Sequence, residues 1–81
     1  MRGIFTKTAE KQYCALPARI RASFEKQMGF LLGSLSHPSL HAKKYDEQVG
    51  LWQARIDRSY RFYFLIQKDM YVVMSIRKHP K

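Results

Sequence analysis

Cysteine occurs once, at Cys14, so no internal disulfide can form and nothing points to an oxidising compartment. With no histidine near it in sequence, Cys14 has no partner for a catalytic thiol, and its neighbours Tyr13, Ala15 and Leu16 suit a helix surface or core edge. Long apolar runs are missing too: no window approaches the ~20 residues of a membrane span, and no signal-peptide-like segment follows Met1. A cytoplasmic protein with no membrane contact is expected. Acidic residues are few, 6 against 15 Lys and Arg, which leaves a formal net charge of +9. Metal ligands are scarce as well. His37 and His41 are separated across Pro38 and have no acidic or cysteine partner at ligand spacing, so neither a metal nor another cofactor is expected.

What is present describes a small folded domain. The 81 residues are 46% hydrophobic and 14% aromatic, which argues against disorder in spite of the charge. A chain of this length forms one domain, 1–81, burying roughly 60 to 65 percent of its unfolded surface, too little for a deep, water-free active site. Basic residues outnumber acidic ones six to two in residues 1–41 and nine to four in residues 42–81. The charge is therefore distributed over a folded surface, of the kind that meets nucleic acid or an acidic protein.

Residues Arg2 to Phe5 read as a short strand. Thr6 is a plausible N-cap for a helix to about Ala15, although the acidic residue of a capping box comes one position late, at Glu10. Pro17, excluded from a helix interior but favoured in a first turn, opens a second helix. There Ile20, Phe24, Met28, Leu31 and Leu35 form one apolar stripe. Arg19, Lys26 and Gln27 fall on the opposite side, and Arg21 and Glu25 have the spacing of an i,i+4 ion pair. Gly33, Ser34, Ser36, Pro38 and Ser39 mark the helix end and a loop, after which Lys43 and Lys44 open a basic patch.

From Gly50 to Ile66 the chain reads as a β-hairpin with alternating faces. Gln53 and Arg55 share one face; Trp52, Ala54 and Ile56 share the other. After the polar break Asp57-Arg58-Ser59, Tyr60, Phe62, Phe64 and Ile66 line one side, and Arg61, Tyr63 and Leu65 line the other. Arg55 and Arg61 can then lie close on paired strands. Lys68-Asp69 suits a tight turn, and Met70 to Ile76 suits a central strand, followed by Arg77, Lys78, His79, Pro80 and Lys81. The order β-α-α-β-β-β implies an α+β fold, a two-helix hairpin packed on one face of a small, mainly antiparallel sheet.

Gly50-Leu51-Trp52, Arg55-Ile56, Tyr60-Arg61-Phe62 and Ile76-Arg77-Lys78-His79, in this order behind a helical hairpin, resemble the RelE/ParE toxin superfamily over essentially the whole chain. The resemblance implies a RelE-like microbial ribonuclease fold and the toxin of a type II toxin–antitoxin system, with an acidic cognate antitoxin as partner. It implies one of two activities: ribosome-dependent endoribonuclease action on mRNA, or, as the alternative, ParE-like inhibition of DNA gyrase. A non-toxic nucleic-acid-binding relative is a third reading.

Cleavage through the 2′-hydroxyl needs a group to deprotonate it, cations for the pentavalent phosphate and an acid for the leaving 5′-oxygen. By the resemblance, Arg61 bears the phosphate charge, as a planar, always-protonated guanidinium can, and Arg55 assists. Lys43 or Lys44 serves as base or phosphate ligand, with Lys44 the expected catalytic one. His79 matches the carboxy-terminal histidine of YoeB-like members and is the expected acid, imidazole being the side chain that exchanges protons near neutral pH. RNA contacts are expected from Lys43, Lys44, Arg55, Arg58, Arg77 and Lys78. Two departures stand out. The family's tyrosine after the last strand has no match, leaving Tyr63 or Tyr71 as substitutes. The acidic base ahead of the lysines is replaced by Leu40-His41-Ala42, where His41 is the available stand-in.

Overall fold

Thr6 starts the helical layer as its sequence position suggests: its hydroxyl accepts a hydrogen bond from the Ala9 amide at 3.1 Å and donates to the Met74 carbonyl at 3.1 Å. One side chain thus caps a helix and pins it to the sheet. The computed structural model describes residues 1–79; Pro80 and Lys81 lie outside the described residues. Strand β1 (Arg2–Phe5) leads into helices α1 (Lys7–Ala15) and α2 (Ala18–Gly33). A 3-10 turn (Pro38–Leu40) follows, then strands β2 (Lys43–Asp46), β3 (Leu51–Arg55), β4 (Tyr60–Gln67) and β5 (Met70–Lys78).

The strands form one five-stranded sheet in the order β1-β5-β4-β3-β2. Only the β1–β5 pairing is parallel; the others are antiparallel. The two-helix α+β architecture on a mainly antiparallel sheet is the expected one, with one strand more than the sequence suggested. The extra strand is β2, which runs along the sheet edge with all four residues exposed. Lys-Lys-Tyr-Asp carries no apolar alternation, so it gives no strand signal, and charge along an edge strand suits its exposure.

The helices cover one face. Ile20, Phe24 and Leu31 of α2 and Ala9 of α1 meet Ala54, Phe62, Phe64, Val73 and Ile76 of the sheet, with Ile56 just after β3, in a single apolar cluster. Phe24 stands edge-on to Phe62 with ring centroids 5.1 Å apart, a preferred aromatic geometry. Met28 and Leu35 lie at the margin of this core.

Two expectations for α2 are corrected. Arg21 and Glu25 do not pair: Arg21 donates to the Leu16 carbonyl at 2.7 Å, and Glu25 accepts from the Tyr13 hydroxyl. Each side chain has a partner ahead of α2, Leu16 at the end of α1 for Arg21 and Tyr13 within α1 for Glu25. Gln27 is not on the polar side but is 3% exposed. Its amide donates to the carbonyls of Ser39 at 3.0 Å and Arg55 at 2.9 Å, which satisfies a buried polar group. Its position was legible, because Phe24, Gln27 and Leu31 are spaced three and four residues apart and so share the buried stripe.

Candidate functional site

The face of the sheet away from the helices carries the cationic residues. Alternation along β3 and β4 turns Ala54, Phe62 and Phe64 into the core and leaves Gln53, Arg55, Arg61 and Tyr63 on the other side. Arg55 and Arg61 are direct register partners. Both are half-buried, and a pocket of about 350 Å³ opens over them, lined by His41, Ala42, Lys43, Gln53, Arg55, Arg61 and His79.

Several local devices build this pocket. Asp57 Oδ1 accepts from the amides of Ser59 at 2.8 Å and Tyr60 at 2.9 Å, shaping the β3–β4 turn. Arg61 donates through Nη1 to the carbonyls of Asp57 at 2.6 Å and Tyr60 at 3.0 Å, so one guanidinium nitrogen is anchored to the turn and the planar group is held in place. The His79 amide donates to the Ser59 carbonyl, tying the residue after β5 to the same turn. On the far side, Gln27 fastens the 3-10 turn to Arg55 of β3.

Electrostatically the pocket is unbalanced. Burial, and then the neighbouring charge of Arg55, lowers Arg61 from the ordinary guanidinium value, against an opposing pull from Tyr63 and Asp57; an arginine nevertheless stays protonated under physiological conditions. Among the described residues, Arg55 Nε is buried without a hydrogen-bond partner and no carboxylate lines the pocket. Like charges directly opposite on neighbouring strands are unfavourable, and an unpaired buried donor adds to the cost. Both terms favour an anion between the two arginines.

Of the residues expected at the site, Arg55, Arg61, Lys43 and His79 come together here. Lys44 does not line the pocket. It pairs in register with Trp52, and its ammonium lies 5.5 Å from the centre of that ring, because neighbouring residues of a strand point to opposite faces. Arg58 is exposed in the β3–β4 turn. Arg77 is the register partner of Arg61, with its guanidinium 4.1 Å from the Tyr63 ring centre, whereas Lys78 pairs with Tyr60. Tyr63 and Tyr71 are each 5% exposed, too covered to stack on a base. His37 stacks on Phe30 and accepts from the Ser39 amide, while His41 lines the pocket.

No family model and no curated protein matches the chain. Solved structures do. A YoeB/ParE toxin from Agrobacterium tumefaciens superposes with a TM-score of 0.82 at 16% identity, covering 99% of this chain and 100% of that one. The chain has the RelE/YoeB toxin fold. A structure described as the intact E. coli RelBE toxin-antitoxin complex gives a TM-score of 0.77 at 20% identity, covering 98% and 96%. A YoeB-YefM complex from Staphylococcus aureus gives 0.79 at 12% identity, covering 96% and 95%. At such identities the RelE/YoeB-type likeness is one of backbone architecture.

Proposed function

We propose that this chain is the toxin half of a toxin–antitoxin pair and an endoribonuclease that cuts mRNA on the ribosome. The observation that carries this reading is the pocket on the uncovered sheet face, which an arginine pair shares with His79 and which no carboxylate lines among the described residues. The scissile phosphate seats between Arg55 and Arg61, whose fixed charges stabilise the pentavalent phosphorane. The 2′-oxygen attacks phosphorus, the bond to the 5′-oxygen breaks, and His79 protonates that oxygen as it leaves. Lys43 holds phosphate at the rim. Arg58, Arg77, Lys78 and, at the flank, Lys44 contact the RNA backbone.

A site this open cannot orient a flexible RNA by itself, so the ribosome supplies the geometry. A gyrase inhibitor requires no acid beside a cation pair, and the convergence of these groups favours the nuclease. The partner is an acidic, partly helical antitoxin that folds as it binds and covers the cationic face. The RelBE toxin-antitoxin complex among the structural neighbours supports this partner class. Inducing the gene in bacteria and mapping mRNA ends by primer extension tests the proposal. Cuts within translated codons are expected; growth arrest without cuts, accompanied by relaxed or broken DNA, would refute the nuclease.

A further inference from the structure

Two residues of the pocket are fastened to one short turn. Arg61, near the start of β4, donates through Nη1 to the carbonyl of Asp57 at 2.6 Å, and the amide of His79, just past the end of β5, donates to the carbonyl of Ser59. Both acceptors lie in the connection between β3 and β4. That connection owes its shape to one side chain. Oδ1 of Asp57 accepts from the Ser59 amide at 2.8 Å and from the Tyr60 amide at 2.9 Å, while the Ile56 amide donates to the Tyr60 carbonyl at 3.0 Å. A side-chain oxygen that takes the amides two and three residues ahead closes an Asx turn, for which aspartate is favoured. Without it the carbonyls of Asp57 and Ser59 are free to swing, and Arg61 and His79 lose a common anchor.

The other contacts of Asp57 are weak by comparison. Its Oδ2 lies 3.7 Å from Arg19 Nη1, but the Arg19 side chain is 79% exposed, and a pair so open to water contributes little. Its charge is a minor influence on Arg61: burial and Arg55 lower that group, and of the two opposing pulls Asp57 is the smaller. The carboxylate does not line the pocket. What Asp57 gives the site is therefore geometry.

We propose that Asp57 is a positioning residue for the RNA cleavage, setting Arg61 and His79 in their places together, an assignment that rests on the nuclease reading above. It touches neither the substrate nor the reacting atoms. A displacement of about 1 Å in a group that faces the reacting centre is enough to slow a reaction by roughly 10²-fold. Here one turn governs both the guanidinium that faces the phosphorane and the imidazole that protonates the leaving oxygen.

Single-turnover cleavage of a short synthetic mRNA on programmed ribosomes, measured well below each Tm, tests the assignment. D57A should cut slower by roughly 10²-fold. D57N keeps an oxygen for the two amides while losing the charge, so it should cut within a few-fold of the native chain, as should R19A, which loses the ion pair alone. D57S, whose hydroxyl closes such a turn less strongly, should show an intermediate loss and stands in for D57A if that variant does not fold. The fold-loss from D57A should shrink in an R61A background, because residues that act through one another are not additive. Melting in inorganic phosphate against chloride at matched ionic strength reads the placement of Arg61 without any cleavage: the excess gain in Tm should be lost in D57A and kept in D57N. Native-like cleavage by D57A, a D57N as slow as D57A, or an equal fold-loss from D57A with and without Arg61 would overturn the assignment while leaving the nuclease intact. A native chain that leaves the mRNA whole would overturn the nuclease reading and this role in it, and a phosphate effect undiminished in D57A would overturn the placement of Arg61 as well.

Discussion

Arg55 and Arg61 stand directly opposite each other as register partners across β3 and β4, half-buried in a pocket that no carboxylate lines among the described residues. Two like charges in this relationship weaken the fold. Such an unfavourable pair marks a candidate functional site.

Substituting Arg55→Met should therefore stabilise the protein while disabling it. The change removes the cross-strand repulsion and the unpaired Nε and keeps the apolar stem of the side chain. A gain of about 1 kcal/mol is expected, which for a domain of this size raises Tm by roughly 4–8 °C. Calorimetric melting beside a cleavage assay checks both halves, and a lower Tm would mean that Arg55 supports the fold.

Phosphate should stabilise the native chain more than chloride at matched ionic strength, because an anion between the arginines binds the folded state alone. The low position of Arg61 relative to an ordinary guanidinium has the same sign. A folded-state value below the unfolded one means that the charged form costs stability, in full below the folded value, and that the cost is relieved as pH rises from the folded toward the unfolded value. A bound anion relieves it at neutral pH. The excess effect of phosphate should vanish in Arg61→Met; if it persists, the anion binds elsewhere.

Gln27→Leu should destabilise in spite of its apolar character. It leaves the carbonyls of Ser39 and Arg55 without the amide that joins them, at a cost of about 1–3 kcal/mol. Cleavage should fall further than the loss of folded protein accounts for, since the turn bearing His41 is no longer clipped to β3. Thermal melts and initial rates measured well below Tm separate the two effects.

Association with ribosomes should weaken steeply with salt, log affinity falling linearly with log salt concentration as basic side chains release condensed counterions. Fluorescence titrations across a salt series test this. A flat response would mean that the net charge of +9 is not what makes the contact.

Periodicity made the helices and the hairpin faces legible, and Thr6 was legible as a cap by its chemistry. Strand β2 was not, because an exposed edge strand of four polar residues has no buried face to reveal it. That omission also blurred the site. Lys43 and Lys44 read as one patch until a strand is recognised, after which alternation sends one to the pocket and the other to Trp52. The bringing together of His41 and His79 depends on the order of strands in the sheet, a long-range property that neither local segment encodes.

The most direct test is to incubate the purified chain with programmed ribosomes and analyse the mRNA ends. Cleavage within the ribosome-bound codon is expected, with a 2′,3′-cyclic phosphate on one product and a 5′-hydroxyl on the other, and Arg61→Ala should slow it by roughly 10²-fold. Intact mRNA with the native chain, or equal cutting by Arg61→Ala, would contradict a nuclease built on the arginine pair.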